Sequence, residues 1–271
     1  SVLLATLFSA LIPLVVVVSC GHDWLQKGNF SFAIFKRVML FGIPLIPASI
    51  AVMAMQMLDR AMLRSLIPDV TLSLQIIGYY AFAFRLTSFT NLVANSFSII
   101  WSPYVYRTYK STNATQAYSC IFTAYSYMLS ILAIILFLLS SFLVPLFLPD
   151  YSNSLIIMPI LLASTILYKI GDYFCIGIGI SEKSWIRATS GFVSLSVNFT
   201  LNFFLIPKLG AVGAAIATLI STGLYVAILM LTSHKLYPVN YNYIASFASI
   251  GFLVMMLYIA NFGLLVLVFS S

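Results

Sequence analysis

Residues 118–147 read YSCIFTAYSYMLSILAIILFLLSSFLVPLF, thirty positions without one charged side chain. A helix of that length is about 45 Å long, and roughly 20 apolar residues are enough to cross a hydrocarbon core. A transmembrane strand would instead alternate polar and apolar residues over about ten positions, and no such pattern is present. The segment therefore predicts a membrane-spanning helix. Working outward from it, the chain divides into eight apolar spans, roughly 1–20, 40–64, 76–103, 118–147, 154–180, 187–206, 210–232 and 244–268. Turn-forming or polar residues separate them, among them Gly21-His22-Asp23, Pro68-Asp69, Pro149-Asp150, Ser181-Glu182-Lys183, Pro207-Lys208 and Pro238.

Composition agrees. The chain is 62% hydrophobic and 7% charged, with a mean hydropathy of +1.08, whereas soluble domains are about half apolar and a quarter charged. The expected fold class is an all-α, polytopic integral membrane protein of about eight transmembrane helices. Short connections make neighbouring helices antiparallel and leave no room for a soluble domain. The net charge of +7 forms no basic face, so nucleic acid is not an expected partner; the phospholipid bilayer is. Lys27, Lys36, Arg37, Arg107, Lys110, Lys183, Arg187 and Lys235 all fall in alternate loops, against Lys208 on the other side. By the positive-inside rule the first set is cytoplasmic and Ser1 lies outside. With no initiating Met, a fragment of a longer protein is expected.

Cys20, Cys120 and Cys175 are widely spaced and read as packing thiols. Neither His22 nor His234 joins a ligand cluster, so no metal and no cofactor are expected. No phosphate-binding loop, nucleophile–base set or carboxylate pair is present, and the chain is not expected to be an enzyme.

Six charges remain inside the spans: Asp59, Arg60, Arg64, Arg85, Lys169 and Asp172. Ionisable groups at membrane depth are costly and tend to serve function. Arg64 can snorkel to the interface, Arg60 can pair with Asp59, and Lys169 and Asp172 at i, i+3 can neutralise each other. Arg85 has no acidic neighbour on its own helix and most needs an outside partner. Asn91 and Asn95 follow it on the same span. Gly210, Gly213, Ala214 and Ala217, continued by Thr218 and Ser221, form a small-residue stripe suited to close helix packing. Pro44 and Pro47 predict an entry kink, and Tyr79, Tyr80, Trp101 and Tyr104 suit interfacial anchoring. The triplets beginning at Asn29, Asn113 and Asn198 match the glycosylation pattern but fall in predicted cytoplasmic loops or a span, and are discounted.

Three stretches together carry a family resemblance. They are Gly42-Ile43-Pro44-Leu45-Ile46-Pro47 leading to Leu58-Asp59-Arg60; Gly78-Tyr79-Tyr80-Ala81-Phe82-Ala83-Phe84-Arg85-Leu86 closing with Trp101-Ser102-Pro103; and Ile206-Pro207-Lys208-Leu209-Gly210 through Gly213-Ala214-Ala215-Ile216-Ala217-Thr218 to Ser221, then Leu236-Tyr237-Pro238. In this order they resemble the carboxy-terminal half of a polysaccharide (O-antigen, capsule or exopolysaccharide) flippase, a branch of the superfamily that also holds multidrug/toxic-compound extruders. The resemblance implies one six-helix lobe (40–232) of a two-lobed transporter. It implies that 1–20 is the last helix of the preceding lobe and 244–268 an appended helix. It further implies location in a bacterial inner (plasma) membrane and movement of an undecaprenyl-diphosphate-linked oligosaccharide by alternating access. The implied partners are the lipid-linked oligosaccharide, the amino-terminal lobe of the same protein and polysaccharide polymerase machinery.

On that reading Arg85, Arg60, Lys169, Arg64, Asn91 and Asn95 form a cationic substrate cavity, because Arg matches diphosphate with paired charge-assisted bonds. Asp59 or Asp172 would couple transport to an ion. Two alternatives stay open: a multidrug/toxic-compound cation antiporter, and a membrane polymerase or ligase of lipid-linked sugars, which would be expected to carry a large outer loop.

Overall fold

Proline and a capping aspartate set the first helix boundaries of the computed structural model, which describes residues 31–241. Helix α1 (Phe32–Gly42) and helix α2 (Leu45–Leu66) are separated at Ile43-Pro44. Pro44 is the residue before α2 and Pro47 lies in its first turn, where a missing N–H costs nothing. Lys36 and Arg37, expected in a loop, are therefore carried on α1. Pro68 ends α2 by forcing Ile67 into an extended conformation (φ −96°, ψ 116°). Asp69 then caps α3 (Val70–Thr87), accepting hydrogen bonds from the backbone N–H of Thr71 (2.8 Å) and Leu72 (3.2 Å). That cap starts the helix six residues before the predicted span at 76.

The predicted span 76–103 is two helices, α3 and α4 (Phe89–Thr108), joined through Ser88. There the Thr87 hydroxyl donates to the Phe84 carbonyl (2.9 Å) and the Ser88 hydroxyl to the Arg85 carbonyl (2.6 Å). The Phe84 carbonyl keeps its backbone bond from Ser88 N–H (3.1 Å), whereas the Arg85 carbonyl is taken by the Ser88 hydroxyl and the Asn91 N–H turns to the Ser88 carbonyl (2.9 Å), so the ladder breaks at Ser88. Helix α5 (Ala114–Phe147) contains the stretch that opened the sequence reading, and α6 (Ser154–Ile180) coincides with its predicted span.

The 52 residues Trp185–Leu236, here α7, are two helical arms that meet at a kink. As one straight helix they would be about 78 Å long, more than two bilayer cores. Yet Asn198 Nδ2 lies 3.3 Å from Thr218 Oγ1, twenty residues on, where a straight helix would separate them by about 30 Å. The chain therefore doubles back at Gly210, the one residue in α7 with non-helical angles (φ 56°, ψ −131°). Only glycine adopts that region without strain. The arms 185–209 and 211–236 are the sixth and seventh predicted spans.

Among the described residues the chain divides into two units between Leu40 and Phe41. Within the second, six traverses pack together: α2, α3–α4, α5, α6 and the two arms of α7. Helix α6 meets α3, α4, α5 and α7, and α2 lies along α7. The core consists of aromatic and aliphatic side chains such as Tyr118, Phe122, Phe137, Phe174, Leu63 and Met158. Outward positions are apolar as well, including Ile131, Ile135, Leu138, Phe142 and Leu146 on one side of α5. Apolar inside and outside is what a bilayer-embedded bundle requires. The protein is an all-α, polytopic membrane protein. The spans 1–20 and 244–268, with the flanking roles expected of them, lie outside the described residues.

Small residues close the interior as the stripe predicts, with one exception. Ala214, Ala215 and Ala217 are fully buried, and a Cβ on Gly213 would stand 2.5 Å from the Leu205 carbonyl oxygen across the hairpin. Gly210 makes no such contact and serves the reversal instead. Further close approaches occur on α6, where a Cβ on Gly171 would meet Val226 at 2.7 Å and one on Gly177 would meet Ser233 at 2.5 Å.

Candidate functional site

Two polar centres interrupt the apolar bundle among the described residues. The first is a cavity of about 460 Å³ between the start of α2, helix α4, helix α6 and the start of α7. One wall is aromatic. Trp101 stacks on Tyr173 with centroids 4.5 Å apart, and Phe97 stacks on Tyr125 at 4.3 Å. The spacing Phe97, Trp101 follows i, i+4 on α4, so both rings share one helix face. The Trp101 indole N–H is buried without a hydrogen-bond partner, an unusual condition for a tryptophan in a core.

The other wall is charged. Arg187 Nη2 lies 3.1 Å from Asp172 Oδ1, and Lys169 Nζ lies 4.0 Å from Asp172 Oδ2. Lys169 also donates to Asn95 Oδ1 at 3.1 Å, linking α6 to α4. Two cations thus share one carboxylate, leaving a formal charge of +1 on the wall. Their side chains keep 12–32% of their surface exposed, so the group faces the cavity and is not sealed in the core.

The second centre is built around Asp59, which is 1% exposed. Its Oδ2 accepts hydrogen bonds from the Tyr80 hydroxyl (2.5 Å) and the Thr218 hydroxyl (2.7 Å), and its Oδ1 accepts one from Asn202 Nδ2 (2.7 Å). Asn202 also donates to Asn198 Oδ1 (3.1 Å), while Asn198 Nδ2 reaches Thr218 and Ser221. Four elements therefore meet at one carboxylate: α2, α3 and both arms of α7. Every one of these partners is neutral. Asn202 Oδ1 is buried and accepts nothing. Counted along α2, Asp59 lies fourteen residues, or about 21 Å, from the cavity-lining Leu45.

The structure brings only part of the six-residue cationic set to this cavity. Of Arg85, Arg60, Lys169, Arg64, Asn91 and Asn95, only Lys169 and Asn95 line it. Arg85 is exposed on α3, and its side chain makes no hydrogen bond or ion pair among the described residues. Arg64 is exposed and donates to Ser73 Oγ at 3.1 Å, tying α2 to α3. Asn91 is half-buried on α4 outside the cavity. Arg60 does not pair with Asp59. Consecutive helix residues diverge, and its guanidinium lies over the Phe84 ring at 5.4 Å. Depth along a helix places residues at one level without placing them on one face.

Several participants escaped the sequence reading. Arg187, assigned to a loop, sits in the first turn of α7 and holds Asp172. Tyr80 and Trp101, read as interfacial anchors, are buried at 1% and 7% exposure. Cys120 is exposed on α5 and not packed in the core. Asn198 enters the sequence reading only as a discounted glycosylation triplet and Asn202 not at all, although two amides at i, i+4 inside an apolar span are a usable signal.

No protein-family model matches the chain, and no curated protein matches it by sequence. The fold is similar to that of the Vibrio cholerae MATE transporter VcmN in its bent form, with a TM-score of 0.53 and 19% identity over 86% of this chain. The chain spans 56% of that transporter's length. The bundle thus shares its fold with part of that protein.

Proposed function

We propose that the chain is the carboxy-terminal lobe of a polysaccharide flippase, moving a lipid-diphosphate-linked oligosaccharide across the bacterial inner membrane by alternating access with an amino-terminal lobe. The observation that carries this reading is the cavity, in which stacked aromatic rings face two cations that share a single carboxylate. A sugar–diphosphate cargo needs both: ring faces for sugar and fixed cations for its phosphates. By the charge rule the cavity lies toward the cytoplasm, where such a cargo would be loaded. Arg85, unpaired among the described residues on an exposed face of α3, fits a third cation along the path, facing the other lobe. The likeness to a transporter supports the transport class, and the short connections between helices speak against the polymerase or ligase alternative. Partnership with polymerase machinery belongs to this proposal.

The test is complementation of surface-polysaccharide export in cells lacking the full-length gene. Arg187→Gln and Arg85→Ala should each abolish export while the protein still inserts at normal abundance. Full export by both variants would sink the reading.

A second reading is a cation antiporter of the multidrug-extruder type. It is favoured by the likeness to a MATE transporter and by Asp59, a buried carboxylate with only neutral partners. Under either reading Asp59 is the proposed ion-coupling residue, and the orphaned Asn202 Oδ1 offers a further oxygen beside it. Efflux of an organic cation that depends on Asp59, with no effect on polysaccharide export, would select the antiporter.

A further inference from the structure

The charged wall of the cavity holds an imbalance that packing alone does not explain. A structural ion pair needs one cation and one anion, and Arg187–Asp172 at 3.1 Å already supplies it. Lys169 adds a second cation at 4.0 Å from the same carboxylate, steadied by Asn95. Two fixed cations bordering an apolar interior repel one another and carry a desolvation cost unless an anion accompanies them. Asp172 meets that need with a minimal set of contacts, one oxygen toward each cation. Its side chain is 30% exposed and lines the cavity, so it is open to exchange with a bound anion. A diphosphate offers more oxygens and more charge than one carboxylate, and the guanidinium fork is suited to it.

We propose that Asp172 is a resident counter-anion: it holds Lys169 and Arg187 in place while the cavity has no cargo, and the cargo's diphosphate displaces it to take both cations. This rests on reading the cavity as the cargo site. The exchange of one anion for another keeps the wall paired in both the loaded and the unloaded state. It also supplies the release step, because Asp172 competes for the cations when the diphosphate leaves. Asp172 is thus a positioning residue that limits affinity, and its loss should tighten binding.

The experiment uses the full-length protein in lipid nanodiscs, with farnesyl diphosphate as the probe and farnesol as the uncharged control. Asp172→Asn and, as a second shape, Asp172→Ser should bind farnesyl diphosphate about fivefold more tightly, the scale of a partly exposed ion pair. Asp172→Glu should stay near wild type, and farnesol binding should not change in any variant. In a transport assay Asp172→Asn should lower KM and kcat together, which a merely structural lesion would not do. Whichever of the Asn and Ser variants folds decides the matter: equal or weaker diphosphate binding overturns the counter-anion role. If Arg187→Gln still weakens the probe in that case, the cargo site stands without the inference. Diphosphate binding that is indifferent to Arg187 overturns both.

Discussion

Tyr80 and Asp59 provide the sharpest test of how this bundle is held together. Both side chains are 1% exposed, and the hydroxyl-to-carboxylate distance is 2.5 Å. A buried hydrogen bond to a charged acceptor contributes about 1.5–3 kcal/mol. Tyr80→Phe removes one of three donors and leaves Asp59 with Thr218 and Asn202, so the loss should be about 2 kcal/mol. Asp59→Ala orphans the Tyr80 hydroxyl, the Thr218 hydroxyl and one amide N–H together. At about 1–3 kcal/mol per orphaned donor the gross cost is about 3–9 kcal/mol, offset in part by no longer burying a charge. The double variant should cost less than the two single losses added, because the ring without its hydroxyl no longer presents a donor. The coupling should be about 1.5–3 kcal/mol. The assay is reversible unfolding of the purified protein in mixed micelles, with all four members of the cycle measured together. A coupling below about 0.5 kcal/mol would refute the claim that Asp59 is held by its neutral donors.

Other perturbations address the frame and the membrane orientation. Gly210→Ala forces a Cβ into φ 56°, ψ −131° at the α7 reversal and should cost about 1–3 kcal/mol by thermal unfolding; no change in Tm would refute the hairpin geometry. Gly171→Ala should destabilise through its 2.7 Å approach to Val226, with Val226→Ala in the same chain recovering most of the loss; absence of recovery would show the contact is not limiting. In a background without native cysteines, Thr112→Cys should resist an impermeant thiol reagent in intact cells while Asn153→Cys reacts, and the reverse pattern would invert the proposed topology.

The fold was legible because its signal is one-dimensional. Residues 118–147 need only be counted to be recognised as a span, and breaks at Pro68-Asp69, Pro149 and Pro207–Gly210 announce themselves by turn chemistry. The site was less legible because it depends on which helix faces meet. Arg85 drew attention for lacking a partner on its own helix, and it still lacks one among the described residues; Arg187 drew none because it stood near a loop. Yet Asp172 and Arg187 flank a short connection between antiparallel helices, fifteen residues apart. They are not placed symmetrically about it: Asp172 stands eight residues before the end of α6 and Arg187 two residues into α7, so the long arginine side chain reaches back along the helix pair to meet it. The Asp59 cage is different in kind. Tyr80, Asn202 and Thr218 lie 21, 143 and 159 residues from Asp59, and nothing local selects them from the many other polar residues in the spans.

The separation of the two centres bears on how such a lobe could work. Asp59 is satisfied by neutral donors from three other helical segments, so any change in its charge or occupancy alters contacts among α2, α3 and both arms of α7 at once. The cavity is bounded by the start of the same α2 and of the same α7. On the proposed reading a change at Asp59 would be carried to the cavity along α2 and the first arm of α7, over about 21 Å. The break at Ser88 lies between Tyr80 and the cavity residues Asn95, Phe97 and Trp101, which lets the α3 end of that traverse move relative to the α4 end. Coupling between the centres should then depend on Ser88, whose hydroxyl takes the Arg85 carbonyl at the break. Replacing it with Ala should stiffen the joint, and on the proposed reading transport should fall while diphosphate binding to the cavity is retained.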